Sequence, residues 1–597
     1  MAGFLRYFLS KYHLESRWIH TSLFTAVVLA ALALVLVRFH FLYGYPFGDS
    51  TRYNVPWSAA FTSQIASGDP YPRWLFDYPQ NIGSPVFYFY GPLPFYVTSA
   101  LHFILPSLSI TSQLTALHFV MYWLAGGTFF FFAQQLVGRR FALLGAMLYM
   151  ALPYHFLDIE LRNAFGEGFA YIWLPLIFAG LRHCPAGEKR WIIAMAGYAG
   201  IIYSHIPSAL LVTPIMVVWT AVSYRGDIGR GLIRLGFVGL GGILLAAPYL
   251  LPAIGLRPML LQDAWLFDAH FLPENWLLPR GFSFSTGVIF YSSILSAAVL
   301  GFGAALCVAA SSKSTIPLPE GSTGSMAPLR ATAAACAIGI TFILFIMSEP
   351  SKWLWLNIGP LRSTQFPFRL GVTADFLSAT ALIIALRTAS AKFRYGFRPI
   401  WLVYTLLLTV VGTSLLARLD AVSYIYLDQP ATLDSDALHC CVLPYEYWLP
   451  DVVHSGLYNE VGGPEGYQAL ARTFPPIEAL SPAGNDERLK IERTGSTLRI
   501  HASVENATDV RIAQAYFPLW SLKDLSTGSE LPLRSDPETG LILATIPPDS
   551  RELQLELKMT PYERWGNVAG LSGLMLIIAL LWRRTPEPGG GRDRSPL

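Results

Sequence analysis

The chain has 597 residues, of which 53% are hydrophobic and only 14% are charged, and its mean hydropathy is +0.43. Repeated apolar runs of membrane-spanning length exclude a soluble protein and predict a polytopic α-helical membrane protein. The formal net charge of +3 by itself says nothing about partners, because its distribution across the bilayer is what matters, and we expect no nucleic-acid partner.

Twelve apolar segments predict membrane spans, with both termini on the cytoplasmic side. The first, residues 18–38, is too long for a signal peptide and lacks a small-residue cleavage site, so we expect a retained anchor. The others lie near 112–135, 141–157, 166–183, 191–205, 207–223, 231–252, 286–310, 330–348, 370–388, 399–418 and 564–582. In this arrangement Lys and Arg concentrate on the cytoplasmic side, as the positive-inside rule requires.

A long outward loop, residues 38–111, follows the first span. It carries acids and arginines among many aromatic residues, whereas a simple connector between spans would be short and polar. Long structured loops are more often functional than idle. Its last part, residues 86–108, has prolines at both ends and is expected to lie on the membrane surface. Asp49 should lie close to the external surface, where a helix cap, a partner for Arg52, a general base and a metal ligand are alternatives.

Four arginines lie on the outer side, where the positive-inside rule would discourage them: Arg73, Arg162, Arg362 and Arg369. Snorkelling explains any single one of them. As a set they suit a phosphate or pyrophosphate headgroup, because guanidinium groups bind such oxygens in bidentate fashion.

Other candidate site residues accompany these arginines. Asp158 and Glu160 flank a turn with Arg162 and Asn163, and Glu167 begins the fourth span, so a salt-bridged outer turn is the alternative to a functional role. For His205 the alternative is a structural hydrogen bond. The aromatic residues of the first loop suit either a belt at the membrane interface or stacking on sugar rings; they are Tyr71, Trp74, Tyr78, Phe87, Tyr88 and Tyr90.

The composition changes in residues 420–562, where period-two alternation and turn signals predict a small antiparallel β domain, sandwich-like and extracytoplasmic. Residues 563–583 form the expected final span, and 584–597 a disordered cytoplasmic tail. The five cysteines form neither a framework nor a C-x-x-C metal motif. Cys440 and Cys441 are either a strained disulfide or two unrelated thiols.

Nucleotide-binding and zinc-protease motifs are absent from the sequence, which has no G-x-G-x-x-G in a strand–helix setting, no Walker lysine and no H-E-x-x-H. A cytosolic nucleotide site is therefore not expected. What remains is an external acid–arginine site at lipid depth, which needs a substrate already in the membrane.

A run of short motifs carries a family resemblance. They are FGD (47–49), GDPYPRW (68–74), GSPVFYFYGPL (83–93), Asp158 through Arg162-Asn163 to Glu167, Ser204-His205, QFPFR (365–369) and FPLW (517–520). In this order they resemble bacterial membrane proteins labelled 6-pyruvoyl-tetrahydropterin synthase-related, and the last resembles YfhO-like relatives. The resemblance spans nearly the whole chain, although nothing in it resembles a soluble pterin enzyme.

These families are similar to GT-C glycosyltransferases, multi-span enzymes that use polyprenyl-phosphate-linked sugars. The resemblance implies a GT-C-like transmembrane domain over residues 1–419, with Asp49 matching an essential acid of the first external loop. It also implies sugar transfer to a glycan, lipid or protein acceptor at the extracytoplasmic face of a bacterial inner membrane. Related sequences often have a histidine near this acid, whereas here Ser50-Thr51-Arg52-Tyr53 follows, so the base and metal-ligand roles of Asp49 both stay open.

The resulting prediction is an inverting transfer with Asp49 as the catalytic base. The predicted substrate-binding residues are Arg73, Trp74, Asp77, Tyr88, Tyr90, Asp158, Arg162, Asn163, Glu167, His205, Gln365 and Arg369. Arg162 and Arg369, with Arg73 as a third candidate, would stabilise the departing polyprenyl phosphate. No cofactor is assigned, and a divalent cation on Asp49 or Asp158 stays open. The alternatives are a transporter or flippase for lipid-linked or cell-envelope glycans, and a non-catalytic assembly factor.

Overall fold

The computed structural model describes residues 2–46, 48, 50–182, 190–261, 276–277, 286–310, 327–392, 447–481 and 489–582. Helices dominate up to residue 392, two β-sheets follow residue 476, and a final long helix ends the described chain. The helices are α1 (Ala2–Tyr43), α2 (Thr51–Ala66), α3 (Val86–Phe89), α4 (Leu93–Ile104), α5 (Ile110–Val137), α6 (Arg139–Ala151), α7 (Pro153–Glu160), α8 (Phe165–Leu181), α9 (Arg190–Ser204), α10 (Ile206–Ser223), α11 (Ile228–Gly255), α12 (Thr286–Ala309), α13 (Ala327–Ile346), α14 (Lys352–Asn357), α15 (Gly359–Arg362), α16 (Gly371–Lys392), α17 (Pro450–Val453), α18 (Gly456–Glu460), α19 (Pro464–Ala471) and α20 (Pro561–Trp582).

Among the described residues, seven helices are long and apolar enough to cross a membrane. The pair α6 and α7 makes an eighth if it counts as one span, bent by 44° at Pro153, which cannot donate the hydrogen bond of a continuing helix. The prediction of a polytopic helical membrane protein is confirmed, but the count of twelve spans is not. Predicted spans 166–183 and 191–205 form α8 and α9, of only 17 and 15 residues, and 399–418 lies outside the described residues.

The stretch predicted to lie on the membrane surface folds into α3 and α4, separated by a break at residues 90–92. The 12 residues of α4 rise about 18 Å at 1.5 Å per residue, which is too short for a hydrocarbon core about 30 Å thick. Instead α4 packs against α2 and α5. The first loop is therefore a folded layer with helices of its own.

The final helix returns from the β region and packs against α11. Glycines allow this close contact: a Cβ atom at Gly566 would lie 2.6 Å from the carbonyl oxygen of Ala247, and one at Gly573 would lie 2.9 Å from the backbone nitrogen of Leu245. Small residues commonly let membrane helices approach in this way. Thus α20 lies directly against α11, the helix whose C-terminal end borders the candidate site.

The C-terminal region contains two antiparallel sheets with strand orders β1-β4-β8-β7 and β2-β3-β9-β5-β6. The strands are β1 (Ile477–Ser481), β2 (Leu489–Thr494), β3 (Thr497–Ala502), β4 (Thr508–Ala515), β5 (Trp520–Asp524), β6 (Glu530–Leu531), β7 (Leu533–Ser535), β8 (Leu541–Ile546) and β9 (Glu552–Leu557). Buried residues of both sheets, such as Ile512 and Leu555, contribute to the core. The predicted β-sheet region is confirmed.

The expectation of an all-β domain is wrong in one respect, because α17, α18 and α19 precede the first strand. Pro450 and Pro464 occupy first-turn positions, where a missing N–H costs nothing. The side chain of Ser455 accepts a hydrogen bond from the backbone nitrogen of Tyr458 and caps α18. These short helices carry local start signals that period-two alternation does not detect.

Candidate functional site

A cavity of 370 Å³ lies where the first loop, the turn before α8, the α9–α10 junction, the end of α11 and residues 363–369 meet. Three arginines and one carboxylate line it, namely Arg162, Arg257, Arg369 and Glu167. With the buried Asp158 directly behind Arg162, three guanidinium groups face two carboxylates, so the described surroundings of the cavity keep a positive charge and suit an anionic ligand.

Glu167 joins two of these arginines. Its Oε1 and Oε2 atoms accept hydrogen bonds from Nη2 and Nη1 of Arg162 at 2.9 and 2.7 Å. On its other side, Oε1 lies 3.1 Å from Nε of Arg369. The bidentate pairing orients the guanidinium group of Arg162, and the ion pair with Arg369 connects residues about 200 positions apart in the chain.

Asp158 lies behind this pair and does not line the cavity. Its Oδ1 atom accepts a hydrogen bond from Nη1 of Arg162 at 2.6 Å, and the carboxylate is fully buried. Burial lowers the pKa of Arg162, but the stronger combined effect of Glu167, Tyr154 and Asp158 raises it, so this guanidinium stays charged. The predicted salt-bridged turn is therefore present, and it supports the wall of the cavity.

Two predicted site residues have backbones in the left-handed region, which is uncommon for residues other than glycine. Asn163 has φ of 55° and Gln365 has φ of 68°. Two hydrogen bonds hold the turn at Asn163. Nδ2 of Asn54 donates to the carbonyl oxygen of Asn163 at 2.6 Å, and Nδ2 of Asn163 donates to Oγ1 of Thr51 at 2.6 Å. Gln365 accepts from Nη2 of Arg369 at 3.1 Å. Gln365 thus contacts a cavity arginine directly, and Asn163 holds the turn that follows Arg162.

Asp49 lies outside the described residues, but its chain neighbours do not. The backbone nitrogen of Ser50 donates to the carbonyl oxygen of Arg162 at 2.9 Å, and Ser50 lines the cavity. Gly48 packs so tightly that a Cβ atom would lie 2.4 Å from the carbonyl oxygen of Leu161. The chain on both sides of Asp49 therefore contacts the turn that carries Arg162.

His205 and Tyr90 are neutral members of the cavity wall. Burial, with the charge of Arg369 adding to it, lowers the pKa of His205 to about 3, although Glu167 acts in the opposite direction. Its Nδ1 atom lies 2.8 Å from Oγ of Ser208. Burial also raises the pKa of Tyr90 to about 12. At neutral pH neither side chain adds charge to the cavity.

Arg73, Trp74, Asp77 and Tyr88 were predicted to bind substrate, but the structure does not place them in the cavity wall. Trp74 donates from Nε1 to Oε1 of Gln514 at 2.8 Å, and Asp77 accepts from Nη1 of Arg493 at 2.5 Å. Both partners belong to the β region. These residues lie away from the cavity because the segment of the loop that contains Trp74 and Asp77 packs against the sheets. Trp74 and Tyr88 are only 1% exposed, so they pack inside the protein and do not form a lipid-facing belt.

Arg73 forms an ion pair with Glu563 in the first turn of α20 and lies 5.5 Å from the ring centre of Tyr88. Glu563 also closes a capping box, because it accepts from the backbone nitrogen of Thr560 at 2.6 Å while its own nitrogen donates to the Thr560 hydroxyl at 3.2 Å. We call these contacts of Arg73, Trp74 and Asp77 with Glu563, Gln514 and Arg493 the clamp. It joins the first loop to both the sheets and the final span.

Arg257 is the cavity arginine that the sequence argument missed. It follows α11, and the same positive-inside argument used for Arg73 applies to it in the predicted topology. Trp57 and Tyr249 were also missed. Tyr249 donates to the carbonyl oxygen of Phe89 at 2.8 Å and so holds the loop against α11. No local signal marks these two aromatic residues as site residues.

Metal ligation was an open question for Asp49 and Asp158. Asp158 contacts Arg162, and in the described part of the chain it belongs to no cluster with metal-ligand spacing. The cluster that has such spacing is formed by His40, His118 and Glu160, none of which lines the cavity.

No protein-family model matches the chain, and no curated protein sequence matches it. Among solved structures it is similar to ArnT from Cupriavidus metallidurans bound to undecaprenyl phosphate, at 13% identity over 63% of this chain and 78% of that one, with a TM-score of 0.26. The apo state of the same protein gives 14% identity and the same TM-score. The Archaeoglobus fulgidus oligosaccharyltransferase in complex with zinc and sulfate is 15% identical over 76% of this chain and 57% of its own, with a TM-score of 0.35. All three TM-scores are below 0.5, so these similarities carry no argument about function.

Proposed function

We propose that the protein is a membrane glycosyltransferase that transfers a sugar from a polyprenyl-phosphate donor to an acceptor at the extracytoplasmic face. The observation that carries this proposal is the cavity whose described wall holds Arg162, Arg257 and Arg369 together with Glu167. Such a wall favours a phosphate over a neutral or cationic ligand.

The apolar edge of the cavity supports a lipid-linked donor. Leu210 of α10 and Ile254 of α11 line the cavity and are 37% and 62% exposed. Exposed apolar side chains on membrane helices face lipid, so the cavity borders the bilayer between these two helices. A phosphate can contact the arginines there while its prenyl chain stays in the membrane.

The arginines have different tasks in this proposal. Three N–H groups of Arg162 already bind Asp158 and Glu167, so Arg162 positions Glu167. Arg369 donates to the carbonyl oxygen of Thr364 and to Gln365, and its Nε lies 3.1 Å from Glu167. These three contacts leave two of the five N–H donors of the guanidinium group for a ligand. Arg369, with Arg257, therefore has the role of stabilising the departing phosphate.

The reaction is an inverting displacement. Asp49 takes the proton of the acceptor hydroxyl as its oxygen attacks the anomeric carbon, and the bond from that carbon to the phosphate oxygen breaks. The polyprenyl phosphate leaves with the electron pair and is stabilised by Arg369 and Arg257. The contacts of Gly48 and Ser50 with the turn at Arg162 support placing the base beside this wall.

Asp49→Asn tests this assignment. A general base contributes about 10²–10⁴ in rate, so we expect transfer to fall by at least about 100-fold while donor-lipid binding is retained. The assay is sugar transfer by the purified protein in proteoliposomes, with a panel of polyprenyl-phosphate sugars and with or without divalent cations. Asp451→Asn, the same change in the C-terminal region, is the matched control. Wild-type turnover in Asp49→Asn would remove this residue from the mechanism.

A transport path needs polar residues at mid-depth, and the predicted spans offer few beyond Gln134, Gln135 and Asp375. Asp375 accepts from Tyr171 Oη at 2.9 Å and from the backbone nitrogen of His155 at 3.1 Å, and Gln135 donates to the carbonyl oxygen of Phe131. These contacts engage both polar side chains within the helix bundle and do not favour a transport path. If the wild-type protein transfers no sugar from any donor in the panel, the transporter and assembly-factor alternatives replace the enzyme.

A further inference from the structure

Two histidines and a glutamate from three helices meet behind the cavity wall. His40 near the end of α1, His118 of α5 and Glu160 at the end of α7 each offer one ligand atom, and these atoms lie within 4.8 Å of one another. All three side chains are at most 5% exposed. Their sequence separations are 78 and 42 residues, so no short motif announces them.

The donor atoms suit a transition metal. Nε2 of His40 lies 2.6 Å from Oε2 of Glu160, and Oδ1 of Asn163 lies 3.1 Å from Nε2 of His118. Two imidazoles and a carboxylate are a common zinc ligand set, with metal–ligand bonds of about 2.0–2.2 Å. Tetrahedral geometry then requires ligand atoms about 3.3 Å apart, and small side-chain shifts reach this spacing.

Charge also favours a cation at this position. A buried carboxylate is costly unless a positive charge compensates it. The imidazole of His40 compensates the negative charge of Glu160 only when that imidazole is protonated. A divalent ion compensates the same charge while both imidazoles stay neutral.

We propose that His40, His118 and Glu160 bind one divalent ion of the zinc class, with the amide oxygen of Asn163 as the fourth ligand. The ion stabilises the fold and does not react, since His40, His118 and Glu160 are absent from the cavity lining.

Asn163 transmits the effect of the ion to the cavity. Its backbone is in the left-handed region, it precedes the cavity residue Ala164, and its side chain donates to Thr51 beside Ser50. A metal bond to Oδ1 would hold this turn and the start of α2 together. Loss of the ion should therefore loosen the loop next to the cavity.

The test uses the full-length protein in detergent, stripped with a chelator, equilibrated with Zn²⁺ or Co²⁺ and desalted. We expect one bound ion per chain by elemental analysis, a higher midpoint of thermal unfolding, and the visible d–d absorption of four-coordinate Co²⁺. His118→Gln and Glu160→Gln should each weaken binding by more than the roughly 10–100-fold that losing an outer hydrogen-bond partner costs. His501→Gln, at an exposed histidine of β3, is the control and should bind as the wild type does.

Three outcomes would overturn the proposal: a wild-type chain without a stoichiometric ion, a six-coordinate Co²⁺ spectrum, or full metal content in both variants. If the variants do not fold, the metal content and the Co²⁺ spectrum of the wild type still decide the question. If the three residues form only a metal-free hydrogen-bonded cluster, the unfolding temperature should be the same with and without Zn²⁺. None of these measurements requires sugar transfer, so they are independent of the proposed function.

Discussion

The two parts of the first outward loop use the same kinds of residues differently. Near Ser50 and Tyr90 the loop borders a cavity in which three arginines face one glutamate. In the clamp, by contrast, Arg73 has Glu563 and Asp77 has Arg493. Balanced charges hold surfaces together, whereas an unbalanced wall attracts a ligand of opposite charge. The difference between these two parts is therefore one of charge compensation and not of residue type.

Arg162→Met should give the largest effect on stability. It leaves Asp158 and Glu167 buried without their shared cation, and breaking a buried pair costs about 3–5 kcal/mol. The midpoint of thermal unfolding of the purified protein, or its yield if it does not fold, measures this loss. A variant as stable as the wild type would show that Arg162 does not hold the wall together.

Arg369→Gln should mainly lower the kcat of sugar transfer. Loss of a donor that stabilises developing negative charge costs about 2.7–4 kcal/mol, or about 10²–10³ in kcat. Arg73→Gln is the matched control in the clamp, and its kcat should change by less than about tenfold. Equal losses in both variants would contradict the division of the loop into two parts.

Glu563→Gln tests the clamp without removing the helix cap, because glutamine also completes a capping box. Loss of the charged contact to Arg73 should cost about 1.5–3 kcal/mol of stability and make the β region easier to cleave in limited proteolysis. Asp77→Asn is the comparison, since its carboxylate is 49% exposed and such pairs contribute about 0–1 kcal/mol. Sugar transfer should remain in both variants, and a clamp variant that abolishes transfer would place the clamp in the active site.

The smallest expected effect is a pH dependence due to His205. Its pKa is about 3 when folded and about 6.5 when unfolded, so the unfolded state binds more protons between these values. Stability should therefore fall as the pH drops below about 6.5. His205→Gln should lose less thermal stability between pH 7.5 and 5 than the wild type, and an unchanged loss would mean that other groups cause it.

Sequence patterns predicted the membrane class, the sheets and several cavity residues. Hydrophobic length identified most of the long helices, and period-two alternation located strands such as β3 and β9. Arg162 and Arg369 were found because the predicted topology puts them on the outer side, where a positive charge breaks a general trend. The same trend also indicated Arg73, which belongs to the clamp.

The sequence by itself determined which segments are apolar, which alternate, and where the charged residues lie between them, because each is a property of neighbouring residues. Only the tertiary structure decided that Arg369 meets Glu167 and that Trp74 meets Gln514, 440 positions away. Packing over such distances depends on the whole arrangement of helices and sheets, and no local pattern encodes it. For this reason the candidate arginines were visible in the sequence, but their separation into a cavity and a clamp was not.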